Sequence, residues 1–184
     1  LAGYFATTAN AFRVDATVAH SQRVREAFER LPAALQGSWE DYVDAIATDV
    51  DRLPAVRQHG DFSVTNLGMH GDALVILDWE DYGRECVPGY DLALLLLALN
   101  DFSAARVREN TLEGAMHAWI LHAGSEGTGI PTALFLRLLP AYLALTIRMK
   151  DEAMYGNALR SRAINALPEA LRGVTAQYGA GERQ

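Results

Sequence analysis

Residues 59–80 read HGDFSVTNLGMHGDALVILDWE, and this stretch decides how the fold is interpreted. Four of its polar side chains are candidates for a functional site: His59, Asp61, Asn66 and Asp78. The pattern predicts a polar loop, then a β-hairpin whose second strand, 73–77, is a continuous apolar run. Such a run indicates a buried strand, and a buried strand can fix the carboxylate that follows it at the rim of a core.

Asp61 and Asn66 lie five residues apart. Kinase-type phosphoryl transfer uses this spacing between the aspartate that accepts the hydroxyl proton and an asparagine that binds metal. The spacing therefore predicts Asp61 as the catalytic base. Asn66 and Asp78 are the expected ligands of Mg²⁺, which prefers hard oxygen atoms and keeps waters and phosphate oxygens. Taken singly, the same residues also suit an Asx-turn, a hairpin-opening turn and a strand-end cap.

HGDFSVTN followed by ILDWE resembles the catalytic core of the aminoglycoside phosphotransferase and choline kinase family, small-molecule relatives of the protein kinases. PGYDLA at 88–93 is similar to a further family feature, an aspartate that opens the helix after the metal-binding strand. The resemblance is specific over 56–93 and general in the helical remainder. It implies phosphoryl transfer from ATP or GTP, with Mg²⁺, to a hydroxyl of an aminoglycoside, sugar or amino alcohol.

The resemblance also bears on residues around the predicted base. It implies that His59 supports the loop by hydrogen bonds and does not itself take a proton. We expect Asp91 to serve as a helix N-cap. Glu80 and Asp81 follow the metal strand and could touch a metal or a cationic substrate, although a solvated loop is the preferred interpretation.

A second HGD, at residues 70–72, provides an internal comparison. The residue five positions after Asp72 is Leu77, which binds no metal. Because this HGD lies between two apolar runs, it is typical of a hairpin turn in which Gly71 adopts a positive φ.

The composition is that of an ordinary globular chain. Its 184 residues, half of them apolar, are enough for one good-sized core. A net charge of −7 without a basic block argues against nucleic acid as a partner. The single Cys86 allows no internal disulfide. No stretch has the length of a membrane span or the pattern of a signal peptide, so we expect a cytoplasmic protein without a membrane partner.

Apolar spacing predicts helices on both sides of the catalytic stretch. Ser38 is the expected N-cap of the helix that precedes it. The final helix is expected to be interrupted near Pro168. The predicted helical ranges are 2–12, 17–31, 39–53, 92–99, 104–123, 131–149 and 159–178.

The predicted fold class is mainly α with a small β-hairpin (α+β). With the resemblance, it corresponds to the C-terminal lobe of the protein-kinase-like fold, the N-terminal nucleotide lobe being absent. We expect one domain over 1–184. Its parts are leading helices (1–55), the catalytic loop, hairpin and metal strand (56–93), and a helical substrate-side subdomain (94–184).

The nucleotide lobe of such a kinase needs a strand lysine on the α- and β-phosphates. The only lysine, Lys150, follows the catalytic stretch and cannot fill that place. The expected partners are thus a small hydroxyl substrate and a nucleotide lobe from the same gene or another chain. We expect the substrate pocket to be lined by helices after residue 100, with acids such as Asp101, Asp151 and Glu152. The alternatives are a non-catalytic kinase-like binding module and a metal-dependent phosphohydrolase.

Overall fold

The computed structural model of the chain describes residues 4, 11–35, 39–113, 122, 128–151 and 157–178. These residues are mostly helical, with two small antiparallel sheets, which confirms the α+β class. No described helix is both long and apolar enough to cross a bilayer. The helices are α1 (His20–Glu29), α2 (Glu40–Asp51), α3 (Tyr90–Leu99), α4 (Ala104–Glu113), α5 (Thr132–Arg137), α6 (Leu139–Asp151) and α7 (Asn157–Tyr178).

The core forms around α3 and α6. Helix α3 is apolar on every face, and its residues from Leu92 to Leu97 are buried, so it is enclosed on all sides. Helix α6 packs against α1 and α7, and α1 packs in turn on α2. Residues spaced three or four apart line the facing sides of α1 and α2, as the sequence predicted: Val24, Ala27 and Phe28, with Val43, Ile46 and Val50.

One antiparallel strand pair lies within the catalytic stretch, and another lies next to it. In the hairpin, β3 (Leu67–His70) pairs with β4 (Ala73–Ile76) from Leu67 opposite Ile76 to His70 opposite Ala73. Gly71 lies in the turn with φ +59°, which confirms that the second HGD is a hairpin turn. The other pair, β1 (Arg13–Val14) with β2 (Ala55–Val56), was not predicted, since two-residue strands leave no period to detect.

Four predictions about these elements are wrong or lie outside the described residues. The range 131–149 is two helices, because Pro140 donates no backbone hydrogen bond and is tolerated only in the first turn of a new helix. Helix α7 continues through Pro168, held by buried residues on both sides of it, such as Ala163 and Ala170. The expected helix over 2–12 and the Ser38 cap fall largely outside the described residues.

The second hairpin strand is not buried, contrary to the prediction. Leu74, in this strand, is 37% exposed, and Leu77, which ends the predicted run, is 51% exposed. The apolar run indicated burial, but no described part of the chain lies over this side of the hairpin. The exposed apolar side chains here form what we call the hairpin surface: Val64, Met69, Leu74, Leu77 and Trp79.

Candidate active site

The hairpin register brings Asn66 and Asp78 to the same open end. Beyond the last strand pair, the Leu77 N–H donates to the Asn66 carbonyl at 2.9 Å. Asp78 comes next in the chain and has φ +59°, a left-handed conformation that few residues other than glycine adopt. Its side chain is exposed and lines a cavity in the surface. Backbone strain of this kind clusters at functional sites.

Asn66 also contacts Asp61. Its side-chain Nδ2 donates to the Asp61 carbonyl at 2.8 Å and to the Asp61 carboxylate at 3.2 Å. A 3₁₀ turn over Val64–Asn66 produces this contact across the five-residue spacing. Because the amide nitrogen is engaged, the carbonyl oxygen Oδ1 is the atom that Asn66 can offer to a metal.

His59 connects the loop to the hairpin. Its Nε2 lies 2.8 Å from the Leu77 carbonyl, and its Nδ1 lies 3.3 Å from the Asp61 N–H. Since a carbonyl only accepts and an N–H only donates, these partners select the neutral tautomer with hydrogen on Nε2. The ring packs edge-on against Phe62 and Trp79. This arrangement supports the predicted role of His59 in shaping the loop.

Asp91 is not a helix N-cap. Gly89, with φ +83°, holds the N-cap position of α3, and Asp91 lies in its first turn. The Asp91 carboxylate accepts the backbone N–H groups of His59 at 2.7 Å and of Gly60 at 3.0 Å. Burial raises the pKa of Asp91 to about 6, and the two amide hydrogen bonds oppose that rise.

Asp81 is not part of a solvated loop. Its carboxylate lies 2.6 Å from Lys150 Nζ and 2.7 Å from Arg84 Nη1. Burial acts to raise the pKa of Asp81, but hydrogen bonds and charge attraction from Lys150 and Arg84 outweigh burial and keep the pKa below its usual value. Glu80 is exposed and lines the cavity.

Lys150 is the site residue that sequence reasoning missed. Its ammonium group lies 3.6 Å from the Asp61 carboxylate and 2.6 Å from that of Asp81. A signal was present: Tyr142, Thr146 and Lys150 are spaced four apart on α6, and all three are buried. A lysine that continues a buried helical stripe needs an anionic partner.

Lys150, Asp61 and Asp81 line a cavity of about 720 Å³, whereas Asn66 does not line it. Of the acids expected in the pocket, Asp101 lies elsewhere and pairs with Arg106 at 2.9 Å. The side chains of Asp151 and Glu152 are outside the described residues. The charged side chains that line the cavity are Asp61, Asp78, Glu80, Asp81, Arg84, Lys150 and Arg162.

The donor set fits Mg²⁺. Asn66 offers an amide oxygen and Asp78 a carboxylate at the open end of the hairpin, and both are hard oxygen ligands. Within the described residues, no donor satisfies the Asp78 carboxylate, and no group of three or more His, Cys, Asp or Glu side chains gathers around a point. Phosphate oxygens and waters would complete the shell of an ion held here.

Comparison with known protein families identifies a match that covers the catalytic stretch. A family model described as "Phosphotransferase enzyme family" matches residues 3–130, which is more than half of the chain and includes the whole catalytic stretch. Neither the curated proteins nor the solved structures that were compared include a match.

Proposed function

Since the chain belongs to the phosphotransferase enzyme family, we propose that it carries the catalytic and metal-binding part of an ATP-dependent enzyme that phosphorylates a hydroxyl of a small molecule. One observation carries this proposal: the Asp61 carboxylate faces the cavity from a loop fixed on both sides. His59 ties that loop to the hairpin, and Asp91 ties it to α3.

Each residue has a role in this proposal. Asp61 orients the acceptor hydroxyl and takes its proton, and Asn66 holds the Asp61 side chain in place while offering Oδ1 to Mg²⁺. Asp78 offers the charged metal ligand. The metal with its bound nucleotide supplies the phosphoryl donor and neutralises charge on the phosphates. Phosphoryl transfer depends mainly on positioning and charge stabilisation, and the anchored loop positions Asp61 for it.

The nucleotide is proposed to bind between this chain and a further lobe, encoded by the same gene or by another chain. The hairpin surface supports this, because it leaves apolar side chains exposed and one of them, Val64, lines the cavity that contains Asp78. The position of the single lysine supports it too. Lys150 lies on α6, bound to Asp81, and does not lie on a strand over the phosphates.

The test uses the full-length gene product with ATP or GTP, with and without Mg²⁺. A panel of aminoglycosides, sugars and amino alcohols is screened for phosphorylated product, and release of free phosphate is measured alongside. We expect Mg²⁺-dependent acceptor phosphorylation that Asp61→Asn removes and Asp72→Asn, in the second HGD, leaves intact. Free phosphate without phosphorylated acceptor would indicate a phosphohydrolase. Nucleotide binding without either product would indicate a binding module.

A further inference from the structure

Lys150 is held at the cavity by two carboxylates. The side chain is 7% exposed. Its Nζ lies 2.6 Å from Asp81 Oδ2 and 3.6 Å from Asp61 Oδ1. Burying an ammonium group is costly unless anions compensate it, so the chain holds a positive charge here with a specific pair of partners.

The two contacts of Lys150 are unequal. The close partner, Asp81, is itself fixed: Arg84 binds it at 2.7 Å, and its backbone packs tightly against Gly60. The contact with Asp61 is longer by 1.0 Å (3.6 − 2.6). Lys150 is therefore anchored through Asp81 and keeps its position when the Asp61 carboxylate turns toward an acceptor hydroxyl.

Building on the proposed function, we propose that Lys150 is a catalytic residue whose ammonium group contacts the phosphoryl group during transfer. The phosphoryl group moves from the metal-bound nucleotide to the hydroxyl that Asp61 orients, so it must pass close to Asp61. The positive charge of Lys150 lies beside that carboxylate. Within the described residues, no other cation lies within ion-pair distance of Asp61. A lysine ammonium is a compact point charge suited to phosphate oxygens.

The step balances without a further reactant. Asp61 accepts the hydroxyl proton as the acceptor oxygen bonds to the γ-phosphorus. The bond from that phosphorus to the β–γ bridging oxygen breaks, and the nucleoside diphosphate leaves with the electron pair. Lys150 Nζ donates hydrogen bonds to the non-bridging oxygens, where negative charge is spread in the transition state.

The competing explanation is a structural clamp in which Lys150 only joins α6 to the loop at Asp81. Lys150→Met and Asp81→Asn both remove the ion pair of that clamp, so a purely structural role predicts similar effects from the two variants. A catalytic role predicts different effects, because the ammonium group stays in Asp81→Asn and the amide Oδ1 at position 81 can still accept a hydrogen bond from it. Thermal unfolding of each variant shows whether the fold is kept.

The experiment measures single-turnover transfer in the full-length product. We expect Lys150→Met to lower the rate about 10²-fold or more with little change in the KM for acceptor. Lys150→Arg should recover part of that rate, and Asp81→Asn should lose less than about tenfold. A Lys150→Met rate within about threefold of wild type, or equal losses in Lys150→Met and Asp81→Asn, overturns the proposal.

A second readout separates this proposal from the proposed function. This readout uses residues 1–184, which contain one lysine, so ¹⁵N-lysine labelling gives a single Nζ resonance. The resonance is followed during titration with Mg²⁺ and inorganic tripolyphosphate. A shift in wild type that Asp78→Asn weakens supports contact between Lys150 and phosphate. If the full-length protein transfers no phosphoryl group, the proposed function fails. An unchanged Nζ resonance in wild type overturns the Lys150 proposal, whatever the transfer assay shows.

Discussion

The Asp91 carboxylate accepts the backbone N–H of His59 at 2.7 Å across 32 residues of chain. A buried acid at the start of α3 thereby fixes the loop that carries the predicted base. The contact has a measurable cost, because burial raises the pKa of Asp91 from 3.8 to about 6.

That raised pKa predicts a pH-dependent stability. The folded state binds the Asp91 proton more tightly than the unfolded state does, so the stability contributed by this group is greatest at low pH. It falls as pH rises from about 4 to about 6, between the ordinary pKa of the group and its raised value in the folded state. Urea unfolding of wild type and Asp91→Asn across this range measures the effect. The advantage of wild type over the variant should shrink with rising pH, and a constant difference would contradict the prediction.

Asp61→Asn should keep the fold and nucleotide binding but lower phosphoryl transfer about 10²-fold or more, because the amide cannot take the hydroxyl proton. Transfer assays on the full-length product measure the loss. Asp72→Asn is the matched control, since it makes the same change in the hairpin turn. Near-normal turnover in a folded Asp61→Asn protein would remove Asp61 from the mechanism.

Asp78→Ala should abolish Mg²⁺-dependent nucleotide binding, because it removes the only charged metal ligand that we propose. Asp78→Asn is the companion variant, since asparagine tolerates the left-handed backbone at this position better than alanine does. Glu80→Ala removes a neighbouring cavity carboxylate and serves as the control. Titration of Mg²⁺ against a nucleotide analogue is the measurement. An unchanged metal dependence in both Asp78 variants would return Asp78 to a structural role.

Two glycines with positive φ should respond differently to alanine. At Gly60 an added Cβ would come within 2.7 Å of the Asp81 backbone and side chain, whereas at Gly71 nothing lies within 4 Å. Gly71→Ala should cost about 1 kcal/mol of stability from backbone strain alone. Gly60→Ala should cost about 3 kcal/mol or more and shift the Asp81–Lys150 contact. Chemical denaturation compares them, and equal losses would mean that the loop moves freely away from Asp81.

Residues 1–184 alone should bind ATP weakly and transfer phosphate at a negligible rate. The only lysine, Lys150, lies on α6 and is engaged by Asp81 and Asp61. No described residue covers the hairpin surface. Calorimetric titration with Mg²⁺·ATP and a product assay test this directly. Micromolar affinity together with substantial acceptor phosphorylation would show that the chain needs no further lobe.

Local sequence patterns predicted the contacts that form within a few residues. Asp61 and Asn66 could be paired in advance because one 3₁₀ turn brings them together, and the turn at Gly71 because it lies between two apolar runs. The α1 and α2 stripes were predicted because each helix repeats its apolar spacing.

Contacts between distant residues could not be predicted in the same way. Lys150 and Asp81 lie 69 residues apart, and their pairing depends on where α6 packs against α1 and α7. Asp91 was assigned a local capping role because its bond partners, 31 and 32 residues upstream, leave no pattern in the chain. The exposure of β4 was missed because an apolar run indicates a need for burial without showing which surface provides it.

The His59 imidazole joins the hairpin to the catalytic loop through its two ring nitrogens. A displacement of the hairpin at Leu77 would strain the bond to Nε2, and a displacement of the Asp61 N–H would strain the bond to Nδ1. The position of the hairpin and the alignment of the Asp61 carboxylate are therefore linked through one imidazole ring.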